Sequence, residues 1–189
     1  TQPVVDARHI HWNKSLPFIG VHLVCLAAFF TGVSWRAVGL CLALYVIRMF
    51  GITAGYHRYF AHRSYQTSRF FQFVIAWLGC SAVQKGPLWW ASHHRHHHQH
   101  SDQERDVHSP ERAGFWWSHV GWILCSKYEA TDLNAIKDFA KYPELRWLNR
   151  FHVIPGVVLA VACFLFMGWQ GLVWGFFIST VVLYHGTFV

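Results

Sequence analysis

Residues 151–189 contain no Asp, Glu, Lys or Arg. Within them, HVIPGVVLAVACFLFM and GLVWGFFISTVVLYHGTFV flank a tight GWQG turn. Inside a bilayer every backbone N–H and C=O must be satisfied within the protein, so an apolar run of ~20 residues spans as a helix. The two runs therefore read as a helical hairpin, with spans at 152–167 and 171–189. LPFIGVHLVCLAAFFTGV (16–33) and AVGLCLALYVIRMFGITAGY (37–56) pass the same test, interrupted only by His22 and Arg48. A short link holding Arg36 joins them into another hairpin. Gly51 and Gly55 are expected to loosen the last turn of the 37–56 helix.

Composition agrees. Hydrophobic residues make up 53% of the 189 and charged residues 13%, against about 25% charged in a soluble domain. The formal net charge of +7 does not call for nucleic acid, because basic residues gather on the cytoplasmic side of membranes. Region 57–150 carries 12 of the 16 Lys+Arg, 8 of the 9 acids and 10 of the 15 histidines. Arg8 and Lys14 add positive charge before the first span. By the positive-inside rule the N-terminus and 57–150 both face the cytoplasm, and four spans satisfy that parity. The expected fold class is an all-α, multi-pass integral membrane protein, with four transmembrane helices in two hairpins around a helical, histidine-bearing cytoplasmic region at 57–150.

Two apolar stretches inside that region, FFQFVIAWLGCSAV (70–83) and GFWWSHVGWILC (114–125), are short for spanning. A span at 70–83 would also part the two histidine groups across the membrane. Both read as interfacial or core helices. The five cysteines, Cys25, Cys41, Cys80, Cys125 and Cys163, are scattered and read as small buried hydrophobes. The chain starts at Thr1 without a Met and stops at Val189 inside an apolar run. A fragment lacking both termini is expected.

Imidazole titrates near neutrality and is the commonest metal ligand among side chains. ASHHRHHHQHSD (91–102) packs six histidines into eight positions, and HRYFAH places His57 and His62 upstream of it. So many neighbouring imidazoles repel one another when protonated and make most sense holding metal. His57 and His62 are five positions apart, about 500° around a regular helix and roughly 140° off face. Either the helix breaks or each serves a different ion. In the second group His94, His97 and His98 share one helical face, and His93, His96 and His100 form a competing stripe. Spacing alone does not choose between the stripes. Lone His9, His11, His22 and His152 read as interfacial or hydrogen-bonded rings. No cysteine lies in the cluster, and an imidazole-rich site suits iron, copper, nickel or zinc. Two adjacent ions would use the surplus.

GITAGYHRYFAH (51–62), WWASHHRHHHQHSDQERDVHSP (89–110) and GFWWSHVGWILCSKY (114–128) together resemble the membrane acyl-CoA desaturases of the stearoyl-CoA delta-9 type, in a bacterial form. The likeness runs from about Tyr45 to Tyr128 and rests on an HRxxxH box, an HRxHH box and SHVGW. It implies one fatty acid desaturase domain over 1–189, in the bacterial inner membrane, with a site of two iron ions and dioxygen as co-substrate. It implies His57, His62, His94, His97 and His98 as ligands, with His57 and His98 on one iron and His62, His94 and His97 on the other. His93 and His96 do not bind metal in that register. The family's third histidine box and Asn-xxx-His would lie beyond Val189.

The resemblance further implies insertion of a cis double bond between carbons 9 and 10 of a saturated acyl chain, in fatty acid biosynthesis. Gln84, Trp90 and Thr187 match positions that kink the chain, and Trp122 of SHVGW joins the substrate-binding set. Tyr45 falls where the family closes the tunnel, with Met49 one turn on replacing a small residue. Lys127 matches a contact to CoA phosphate, but Ser92 and Ser126 stand where animal enzymes have basic residues, so CoA, a carrier protein and intact lipid all stay open. Expected partners are the acyl thioester or acyl lipid, the bilayer, and an electron donor such as ferredoxin, rubredoxin or a small b-type cytochrome. A histidine-box hydroxylase or alkane monooxygenase is the near alternative. A metal transporter is remote, since transporters place ionisable ligands inside their spans.

Overall fold

The computed structural model describes residues 12–187. Arg8, His9 and His11 lie outside the described residues, as do Phe188 and Val189. Every regular element among the described residues is helical. Helix α1 (Trp12–Val24) runs through a 3-10 turn at Cys25–Ala27 into α2 (Ala28–Thr31) and stops at Gly32, whose φ is 69°. Ser34 caps α3 (Trp35–Phe50) by accepting from the Ala37 N–H, and α3 continues as a π-helix over Gly51–Ala61.

Ser68 caps α4 (Arg69–Ser81) in the same way, accepting from the Phe71 N–H. Pro87 opens α5 (Pro87–His100) at its first turn. The polar region ends in three short helices, α6 (Pro110–Ala113), α7 (Lys137–Ala140) and α8 (Pro143–Arg150). Then come α9 (Ile154–Gln170), a π-helix at Gly171–Ile178 and α10 (Ser179–Thr187).

The expected helix at 70–83 is α4. It buries Ile75, Ala76 and Cys80 and exposes Phe70 and Phe71. The expected helix at 114–125 does not form as one piece. Gly114 at φ 82° starts it, a π-helical turn occupies Trp117–Gly121, and turns follow to Cys125. Of the cysteines, four are buried and Cys25 is half-buried, and all five are free.

Trp35–Ala61 and Ile154–Thr187 are long and apolar enough to cross a membrane, and Ser15–Thr31 is a shorter apolar helix. The most apolar windows of the two long stretches are only 28% and 22% buried. Phe29, Phe30, Trp35, Leu165 and Phe166 all point outward. Apolar residues thus cover the outside of these helices. Ile154–Thr187 is not one rod: at Met167 (φ −139°) and Gly168 (φ 58°) the chain folds back, and α9 packs against the stretch after Gly171.

Glycine sets the closest crossing. A Cβ on Gly51 would fall 2.9 Å from the Gly79 nitrogen, and one on Gly79 would strike the Tyr56 ring. The π-helix and α4 therefore touch backbone to backbone. Gly51 allows this close approach, and the expected loosening of the last turn takes the form of π winding that begins there. Arg48, wholly buried, crosses the bundle: it donates to Leu44 O, Ser81 O, Thr180 Oγ1 and Ser179 Oγ.

Candidate metal centre

The π-helix answers the five-residue spacing. The His62 N–H donates to His57 O at 3.0 Å, an i→i+5 bond, and such winding brings residues five apart onto one face. The two rings sit 4.4 Å apart between centroids with their Nε2 atoms 3.1 Å apart. On α5, His94 and His98 are one α-turn apart and hold their Nε2 atoms 3.0 Å apart. The pairs face each other, with His57–His94 centroids at 4.7 Å and His62–His98 at 4.5 Å. One nitrogen from each of the four lies within 4.8 Å of the other three.

Arg95 ties the two segments together. Its guanidinium donates to Phe60 O at 2.7 Å and Ala61 O at 3.1 Å, at the end of the π-helix, and to Ala135 O at 3.0 Å. It also forms a two-point pair with Asp138, at 2.9 and 2.8 Å. From the other side, the Trp89 N–H donates to Asn149 Oδ1 at 2.9 Å, anchoring the start of α5 to α8.

His97 borders the four-histidine group, its ring 6.0 Å from His94 and 5.4 Å from His98. It belongs to a second group with Asp106 and His108. The competing stripe turns elsewhere. His93 Nδ1 donates to Trp89 O, and His96 lies against His100 beside a separate cleft.

Burial and mutual repulsion disfavour protonation of His94, His98 and His108. Burial, then the neighbouring imidazoles, pulls His94 down to about 2, and burial with His62 and His97 lowers His98. Burial and His97 bring His108 down to about 4. Asp106 goes the other way. Burial pushes its carboxyl up, but hydrogen bonds from His97 and from the Asp102 and His108 N–H groups outweigh it, holding it below the usual value. A neutral imidazole offers a lone pair where a protonated one repels a cation, so convergent neutral rings fit a metal ion. The donors are all nitrogen in the four-histidine group, the chemistry of iron, copper, nickel or zinc.

Beside the histidines opens a cavity of about 600 Å³. Gln84, Trp90, Trp122 and Thr187 line it together with His94 and His97. Gln84 Nε2 donates to Thr187 Oγ1 at 2.6 Å, and the Trp90 ring stacks on His94 at 4.5 Å. Tyr45 is not among the lining residues; its hydroxyl and the Met49 methyl approach Gly186 instead. Lys127 lines the separate cleft with Ser92, His96 and Asp132.

Sequence reasoning passed over Arg95, Asp106 and His108. Asp106-Val-His108 follows the second box closely, and a carboxylate two residues from an imidazole was the available signal. It also left out a chain of rings: His119 Nε2 lies 3.0 Å from His185 Nδ1, and His185 Nε2 3.0 Å from His22 Nε2.

The fatty acid desaturase family model matches residues 33–189. An sn-1 stearoyl-lipid 9-desaturase of Anabaena variabilis is 38% identical over 95% of this chain and 67% of its own length. An acyl-CoA 5-desaturase of Anemone leveillei is 37% identical over 90% of this chain and 54% of its own. An sn-2 palmitoyl-lipid 9-desaturase of Nostoc sp. is 35% identical over 96% and 65%. The chain thus spans between about half and two thirds of these relatives. With the two histidine pairs beside an apolar cavity, the match over 33–189 leads to one conclusion: the chain belongs to the fatty acid desaturase family.

Proposed function

We propose that the whole protein is an oxygen-dependent diiron desaturase, an oxidoreductase that inserts a cis double bond at carbon 9 of a saturated acyl chain. The observation that carries this is the convergence of His57, His62, His94 and His98, of which His94 also lines a cavity of about 600 Å³. The names of the Anabaena and Nostoc relatives support an acyl-lipid substrate and position 9, and that of the Anemone relative supports the thioester. His57, His62, His94, His97 and His98 would hold the irons. When bound, the two irons supply the oxidation of unactivated C–H bonds by dioxygen.

The chain's own residues do the rest. An alkyl chain offers no polar handle, so its register comes from cavity shape. Trp90, stacked on His94, forms the wall nearest the histidines, and the Gln84–Thr187 hydrogen bond closes another. Trp122 adds a flat apolar face. Water exclusion by such walls protects a reactive site. Tyr45 and Lys127 stand off this cavity, so any role at the tunnel end or the head group would be played outside it. Trp12–Thr31, Trp35–Ala61 and the two arms of Ile154–Thr187 would be the four spans. The histidine region would face the cytoplasm, where ferredoxin, rubredoxin or a small b-type cytochrome delivers electrons.

The test is product analysis. The full-length protein, expressed in a host lacking desaturases, is expected to yield acyl chains with one double bond at carbon 9, located by mass spectrometry of sulfide adducts. A hydroxylated chain would move the protein to the hydroxylases. An iron-loaded protein that changes no acyl chain, with its electron donor supplied, would sink the reading.

A further inference from the structure

The second histidine group has a different character from the first. Among its members Asp106 has a side chain with no exposed surface. Its Oδ1 accepts from His97 Nδ1 at 2.9 Å and from the His108 N–H at 3.2 Å, and its Oδ2 accepts from the Asp102 N–H at 3.0 Å. A carboxylate only accepts, so His97 carries a proton on Nδ1, and Nε2 is the nitrogen left for a metal. Nε2 is the atom that His57, His62, His94 and His98 turn toward one another.

The ring is held across its face as well. His108 stacks on His97 at 4.2 Å and on Trp122 at 4.9 Å, and Trp122 stacks on Trp89 at 5.7 Å. The strap that brings Asp106 here is itself pinned. Ser109 Oγ donates to Asp102 Oδ1 at 2.7 Å and Arg112 Nε donates to Asp102 O at 2.9 Å.

We propose that Asp106 is a positioning residue for His97: it selects Nε2 as the metal-binding nitrogen and, with His108 as backing, aims it at the neighbouring four-histidine group. This rests on the diiron reading above. Partners that orient a ligating histidine typically contribute about 10–100-fold to metal affinity.

The experiment compares iron content, iron affinity and Mössbauer spectra of the full-length protein and its Asp106→Ala, Asp106→Asn and Asp106→Glu variants. Wild type is expected to bind two irons. Asp106→Ala is expected to bind one of them about 10–100-fold more weakly, with the spectrum of the other retained. Asp106→Asn keeps the side-chain volume, so it carries the test if the alanine variant fails to fold, and it is expected to lose the same iron. Asp106→Glu, which restores a carboxylate, is expected to recover part of the affinity. Ser109→Ala, which loosens the strap without touching Asp106, is expected to weaken iron binding less than either Asp106→Ala or Asp106→Asn.

Wild-type affinity and spectrum in both Asp106→Ala and Asp106→Asn would overturn the proposal. So would equal iron loss in Ser109→Ala, which would make strap integrity the cause. A wild-type protein that binds no iron would instead overturn the diiron reading, and this inference with it.

Discussion

At the scale of single residues, the two faces of α5 are the sharpest contrast. His94 meets four other imidazoles, whereas His96 lies against His100 on the side of the separate cleft. His94→Ala is expected to cut desaturation by about a hundredfold or more, beyond the usual effect of an indirect partner, and His96→Ala to leave most of it. Loss of activity in a folded His96→Ala protein would show the ligand face to be misassigned. Arg95 offers a second test. Burial raises the Asp138 carboxyl, but the hydrogen bonds and charge of Arg95, with Arg63, hold it below its ordinary 3.8. A carboxyl lowered by folding stabilises the fold above its unfolded value, and that contribution fades as pH falls through the folded one. Metal-free Asp138→Asn is therefore expected to melt below wild type at pH 7, with the gap closing below about pH 4. A gap independent of pH would mean that the charge on Asp138 contributes nothing. Arg95→Lys cannot reproduce a two-point pair plus three carbonyl contacts, and is expected to cost about 1–3 kcal/mol in thermal or denaturant unfolding.

At the scale of elements, the sequence spoke clearly about apolar runs and less clearly about winding. The helices expected over 16–33 and 37–56, found over 12–31 and 35–61, and the fold-back at GWQG could be read because each is a run of apolar residues ended by glycine or a polar break. The π-helix at Gly51–Ala61 could not, since periodicity at 3.6 residues has no mark for an i→i+5 stretch. For the same reason the spacing of His57 and His62 left two alternatives open, and the π-winding brings both rings to one face without assigning the ion each would serve. The stretch 114–125 looked helical from its aromatic residues, yet Gly114 at φ 82° and a single π-turn make it a bent connection. Gly79 marks where the elements are packed most closely. Gly79→Ala is expected to push Tyr56 off its hydrogen bonds to Cys80 Sγ and Lys85 O. Overpacking of this kind costs about 1–3 kcal/mol, and an unchanged melting temperature would show that the crossing can relax.

At the scale of the whole molecule, apolar residues cover the outside of the long helices, and the charge is gathered in 57–150. If four spans hold, the turns at Gly32–Ser34 and Met167–Gly168 lie on the far side of the membrane from the histidines. In a background without the five native cysteines, Val33→Cys and Gly168→Cys are expected to react with a membrane-impermeant maleimide on intact cells. Arg112→Cys is expected to react only after permeabilisation. Labelling of all three from outside would reject the topology. The pairing of His57 and His62 with His94 and His98 carries a mechanical corollary. A metal centre gripped by both pairs joins points about thirty to forty residues apart, and so closes a loop that Arg95 closes only noncovalently. Metal then acts as a removable cross-link. Chelation should widen the set of shapes available between Arg63 and Gly86, and that interval is where a protease would first distinguish starved protein from loaded protein.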